Sequence, residues 1–183
     1  MKKAILAVLL FFGVIATASA NDALIAERLK EYWAAYSSTD FVKAAEFILP
    51  ADLNDLKSEL LPVFLAANES QDVEVRQMAQ YFFADIPPGK YTSMTSSDVF
   101  SAMNTLMAGL SPDMFSLLQG AELEVVSTSK NADGSVAVNV AIKVAGDFAE
   151  DVMYLRQENG EWFMRVNEKP SVTANGFRQL FGQ

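Results

Sequence analysis

Residues 135–166, SVAVNVAIKVAGDFAEDVMYLRQENGEWFMRV, alternate apolar with other side chains over most of their length. A strand satisfies that period and a helix does not. Val136, Val138, Val140, Ile142 and Val144 fall at every second position, which puts five branched side chains on one face of one strand. Asn159-Gly160 then separates two further alternating runs, the pair that a two-residue type I′ turn demands because both central residues need positive φ. With that turn, Met153, Leu155, Trp162, Met164 and Val166 share the core face of a hairpin, and Val152, Tyr154, Arg156, Phe163 and Arg165 share the other. Upstream, Leu123 and Val125 begin the same period, and Asn131-Ala132-Asp133-Gly134 turns the chain into the valine strand. Four strands over about 121–167, paired as an antiparallel meander, are predicted.

Before residue 120 the period is helical. Ile25, Leu29, Tyr32, Trp33 and Tyr36 lie on one face of a helix spanning 22–36, broken by Ser37-Ser38-Thr39-Asp40 and followed by a shorter helix from Phe41 to Leu49. Asp52 is predicted to cap a third helix carrying Leu53, Leu56, Leu60, Leu61 and Phe64, with a kink or break at Pro62. A fourth carries Val75, Met78, Ala79, Phe82 and Ile86 up to Pro87-Pro88-Gly89. Thr95 and Asp98 form a capping box, with Met94 and Val99 as its staple, ahead of a helix burying Val99, Phe100, Met103, Leu106, Met107 and Leu110. Ser111-Pro112 opens one more helix that ends near Gly120. Residues 168–183, with Pro170 and Asn175-Gly176, read as a loosely attached tail with one helical turn at 177–181. The chain beyond residue 20 is thus a single α+β domain: helices over about 22–118, packed on a C-terminal four-stranded antiparallel sheet.

The first twenty residues carry Lys2 and Lys3, an apolar run from Ala4 to Ile15 and Ala18-Ser19-Ala20, the pattern of a secretory signal peptide cleaved after Ala20. The run is shorter than the ~20 residues a membrane span needs. Export to the periplasm follows, with no membrane anchor, and the absence of cysteine leaves no disulfide and no lipid-modified cysteine. The formal charge is −9, and loss of Lys2 and Lys3 with the leader takes it to −11. So acidic a chain repels a phosphate backbone, which argues against nucleic acid and anionic lipid as partners.

With neither His nor Cys in the chain, Ser-His and Cys-His nucleophile systems and imidazole or thiolate metal sites are excluded. No glycine-rich phosphate or dinucleotide motif occurs, and no spacing marks a carboxylate pair, so no cofactor, metal or catalytic residue is assigned. Met94, Met103, Met107 and Met114 cluster in sequence as Cu(I) ligands would, yet Met103 and Met107 share their face with Phe100 and Leu110, and core packing accounts for that pattern. The outer hairpin face, Tyr154, Arg156, Phe163 and Arg165, has the aromatic and arginine content of a protein interface; an ordinary exposed strand face has the same composition.

Two stretches, AERLKEYWAAYSSTDFVKAAEFI and VMYLRQENGEWFMRV, resemble the NTF2-like (cystatin-like) α+β superfamily. The resemblance implies a curved antiparallel sheet wrapped around helices and enclosing an apolar cavity, an enzyme pocket in some members and a binding or dimerisation module in others. It places Tyr32, Trp33, Tyr36, Met153 and Trp162 on the cavity wall, and Met103 and Met107 are added as ligand-contacting candidates from the Met-rich helix face. Three functions are compatible. First is an exported, non-catalytic binding or interaction domain of the cell envelope, with an envelope protein or a second copy as partner. Second is a carrier of an apolar small molecule or lipid. Third is a Tyr/Asp-type isomerase or hydrolase, which needs an acid such as Asp40 or Asp85 in a pocket with a raised pKa.

Overall fold

The computed structural model describes residues 20–144 and 146–183. The predicted leader lies outside the described residues, apart from its last position. Helices α1 (Ala20–Ser37), α2 (Phe41–Ala45), α3 (Pro50–Asn68), α4 (Val73–Phe82), α5 (Ser96–Leu110) and α6 (Pro112–Gln119) precede strands β1 (Glu122–Lys130), β2 (Val136–Val144), β3 (Asp147–Glu158) and β4 (Glu161–Met164), and α7 (Pro170–Leu180) closes the chain. The fold is α+β, with the four strands paired antiparallel in the order β1-β2-β3-β4.

The hairpin forms as its sequence dictates. Glu158 pairs with Glu161 across a two-residue loop in which Asn159 has φ 51° and Gly160 φ 88°. Val136, Val138 and Val140 are buried, and Ile142 and Val144 partly so, with Met153, Leu155 and Met164 on the same inner face. Ile25, Leu29 and Trp33 of α1 and the apolar side of α3 and α5 close the core over that face. The capping box is formed: the Asp98 N–H donates to Thr95 Oγ1 at 3.1 Å, and the Thr95 N–H to Asp98 Oδ2 at 2.7 Å.

Five local expectations are corrected. The second helix stops at Ala45 rather than Leu49, because residues 47–49 leave it to cover the edge of β4. There the Met164 N–H donates to the Phe47 carbonyl and the Leu49 N–H to the Met164 carbonyl, both at 2.8 Å. Asp52 does not cap α3, whose N-cap is Leu49 with Pro50 in the first turn; one turn in, its carboxylate faces Arg165. Helix α3 is not broken at Pro62 and runs on to Asn68. An internal proline costs about 3 kcal/mol, but Leu60, Leu61, Val63 and Phe64 are all buried around it, each contributing about 1.5–3 kcal/mol, so packing wins. On α5 the buried arc contains Asn104 and leaves out Met107 and Leu110, which are 37% and 51% exposed.

The fifth correction is residues 168–183, which are no loose tail. Pro170 occupies the first turn of α7, where its missing N–H costs nothing, and Ala174, Phe177 and Phe181 are buried. The rings of Phe177 and Phe181 lie 4.8 and 5.3 Å from that of Phe64 on α3, which itself stacks on Phe82 of α4 at 3.9 Å. That burial outweighs the ~1 kcal/mol that Gly176 costs a helix interior.

Candidate functional site

Between the helices and the inner face of the sheet lies a cavity of about 390 Å³. Tyr32, Trp33 and Tyr36 of α1 form one wall, Phe100 and Asn104 of α5 another, and Ile142, Met153 and Met164 the sheet side, with Arg165, Val166 and Asn167 following β4. The i,i+4 spacing of Tyr32 and Tyr36 stacks their rings at 5.6 Å. Tyr36 also packs edge-on against Phe41 at 5.4 Å and tilts against Phe115 at 6.1 Å, which ties α1 to α2 and α6.

The polar groups of this wall divide into those already partnered and those still open. The Trp33 indole N–H donates to the Ala121 carbonyl at 2.9 Å. The Tyr36 hydroxyl donates to Asn104 Oδ1 at 3.0 Å, and the Asn104 amide donates to the Phe100 carbonyl at 2.8 Å, which satisfies a side chain only 5% exposed. By contrast the Tyr32 hydroxyl has no protein partner among the described residues. Burial first, then the neighbouring Tyr36, pushes the Tyr32 phenol well above its ordinary range, and burial raises Tyr36 as well, so both remain neutral. Arg165 Nε donates to Asp52 Oδ2 at 2.7 Å, and the Val166 N–H donates to the same oxygen at 3.0 Å. The hydrogen bond to Asp52 raises the Arg165 pKa further, which keeps a permanent cation in the cavity wall. Its two terminal nitrogens have no protein acceptor among the described residues.

Of the candidate ligand contacts, Tyr32, Trp33, Tyr36 and Met153 come together here. Met103 and Met107 instead line an apolar groove of about 460 Å³ with Leu56, Phe177 and Leu180, on the other side of Phe100 and Val166. Trp162 is half-buried in a third recess of about 250 Å³ with Leu24, Arg28, Glu27, Glu31 and Glu161, and its buried indole nitrogen has no partner among the described residues. The interface candidates also separate. Tyr154 and Arg156 are exposed on β3, while Phe163 is half-buried under the Arg28 guanidinium, 5.7 Å from its ring, and Arg165 is held by Asp52.

Sequence reasoning missed Asn104 as a cavity residue and placed Arg165 on the outer face. Asn104 was findable, since it lies four residues after Phe100 on an otherwise apolar face and a polar residue there needs a partner. Neither Asp40 nor Asp85 lines the cavity: Asp40 caps α2 by accepting the Lys43 N–H, and Asp85 is exposed. The cavity's acid is Asp151, exposed on β3. Among the described residues no cluster of three or more His, Cys, Asp or Glu could hold a metal ion, and no helix is long and apolar enough to cross a membrane. No family model, curated protein or solved structure matches the chain.

Proposed function

We propose that the chain is an exported, non-catalytic binding domain of the cell envelope, NTF2-like in architecture, that carries an apolar small molecule in the cavity between α1, α5 and the sheet. The observation that carries this reading is an aromatic-walled space of about 390 Å³ lined by the Tyr32, Trp33 and Tyr36 rings, the Tyr32 hydroxyl having no protein partner among the described residues. Ligand pockets are mostly apolar, with a few placed polar groups and volumes of about 300–1,000 Å³. The combination of helices lying on one face of a meander supports the resemblance first drawn from the helix pair and hairpin. The isomerase or hydrolase alternative is disfavoured because, among the described residues lining the cavity, the one acid, Asp151, is exposed rather than buried as a general acid or base of raised pKa requires. An interaction domain built on the outer hairpin face is disfavoured because two of its four candidate residues are engaged within the molecule.

Titration of the mature protein with the neutral fluorophore N-phenyl-1-naphthylamine tests the reading, with energy transfer from Trp33 as the signal. Saturable one-to-one binding is expected, weakened at least about tenfold by Ile142→Trp, which fills the cavity from the sheet side. No saturable binding to the parent protein, or equal binding by the variant, would remove the cavity from consideration.

A further inference from the structure

Asp151 stands on the sheet face that otherwise meets the cavity with Ile142, Met153 and Met164. It pairs with the buried Val140 in the β2–β3 ladder, and residues directly opposite in a ladder share a face, so its side chain belongs to the inner side. It both lines the cavity and is exposed, which sets it at the opening. One carboxylate oxygen accepts the Val152 N–H at 2.7 Å; among the described residues the other has no protein donor, and no lysine or arginine pairs with the group. Arg165, the cation of the same wall, is already balanced: Asp52, whose side chain is 10% exposed, holds its Nε at 2.7 Å. The charge of the wall that no partner cancels is therefore negative, and Asp151 carries it.

We propose that the cavity takes a small organic ammonium ion, its apolar body among the rings of Tyr32, Trp33, Tyr36 and Phe100 and its nitrogen directed to Asp151 at the opening. The proposal rests on the cavity reading and narrows it to a ligand class. An anion meets Asp151 with a like charge and finds Arg165 engaged. A neutral ligand leaves the carboxylate without a counter-charge. An ammonium N–H donates to the open carboxylate oxygen, a charge-assisted bond, and the unpartnered Tyr32 hydroxyl offers a second acceptor. Aromatic rings carry their negative charge on their faces, so a wall built of four of them attracts a cation that an aliphatic wall would not. The net negative charge of the chain acts in the same direction, raising the concentration of cations near the opening. A volume of about 390 Å³, near the lower end for ligand pockets, suits a single ring on a short chain.

Glu150 supplies the control. It is the next acid along β3, exposed like Asp151, but it pairs with Ala141 and points to the opposite face, so the same substitution there changes the net charge equally without touching the cavity. The experiment is displacement of N-phenyl-1-naphthylamine from the full mature chain by phenethylamine, phenethyl alcohol and hydrocinnamate, which share a phenyl ring on a short chain and end in a cation, a neutral hydroxyl and an anion at neutral pH. The parent should bind the amine about threefold to thirtyfold more tightly than the alcohol, as an exposed ion pair and a cation–π contact together supply, and hydrocinnamate least tightly. Asp151→Lys should reverse the order of amine and hydrocinnamate, whereas Glu150→Lys should keep the order of the parent. An amine bound no better than the alcohol by the parent overturns the proposal while the fluorophore still reports the cavity. Equal loss of the preference in both variants assigns it to the charge of the whole molecule and overturns the proposal too. Absence of fluorophore binding to the parent removes the cavity reading itself.

Discussion

Tyr32 and Tyr36 are the residues whose chemistry the fold changes most. Both phenols are held neutral by burial, so the unfolded chain ionises them at the ordinary value of 10.0 while the folded chain does not. Above that pH the native state binds more protons than the unfolded state, and stability falls as pH rises; below it the two states bind equally and the pair is silent. The urea midpoint should therefore be flat up to about pH 9 and decline from about pH 10 upward, more gently in Tyr32→Phe. An alkaline decline of the same slope in parent and variant would show that Tyr32 is not shielded. Asn104 illustrates the same economy in a buried polar group: with one bond to Tyr36 and one to a backbone carbonyl it fixes the tyrosine ring, and through the stack it orients Tyr32.

Among the elements, those that follow from neighbouring residues were legible in the sequence. The valine strand, the Asn159-Gly160 turn and the Thr95–Asp98 box each draw on residues within a few positions, and local sterics and hydrogen bonding decide them. What escaped depends on partners far along the chain. Arg165 meets Asp52 across 113 positions, residues 47–49 leave their helix for β4, and α7 forms because Phe64 awaits it. The cavity was legible in the same partial way: the α1 tyrosines and Met153 came from periodicity and resemblance, whereas the split between cavity and Met-lined groove depends on how α5 is turned, with Asn104 facing the cavity and Met103 and Met107 the groove. Helix α7 can be tested as a packed element. Phe177→Ala removes a buried ring from its contact with Phe64 and should cost about 3–5 kcal/mol, read as a lower urea midpoint at unchanged slope. A midpoint within error of the parent would return residues 168–183 to a loose tail.

At the scale of the whole molecule, the two sheet edges are treated differently. The β4 edge is covered by residues 47–49, while β1 lies at the end of the strand order with its second side unpaired by any strand among the described residues. The register of β1 slips between Val125 and Ser127, and the extra residue, Val126, is 62% exposed. A bulge bends and twists its strand, and a twisted edge is a poor template for another chain. Deleting Val126 restores consecutive pairing, with Val125 opposite Val140 and Ser127 opposite Asn139. The straightened edge should then recruit further molecules, seen as light scattering that grows with time and as fibres that bind thioflavin; Val126→Ala, which keeps the bulge, should stay clear. A deletion variant as clear as its parent would show that the bulge does not guard the edge. One surplus valine would then set the colloidal lifetime of the protein.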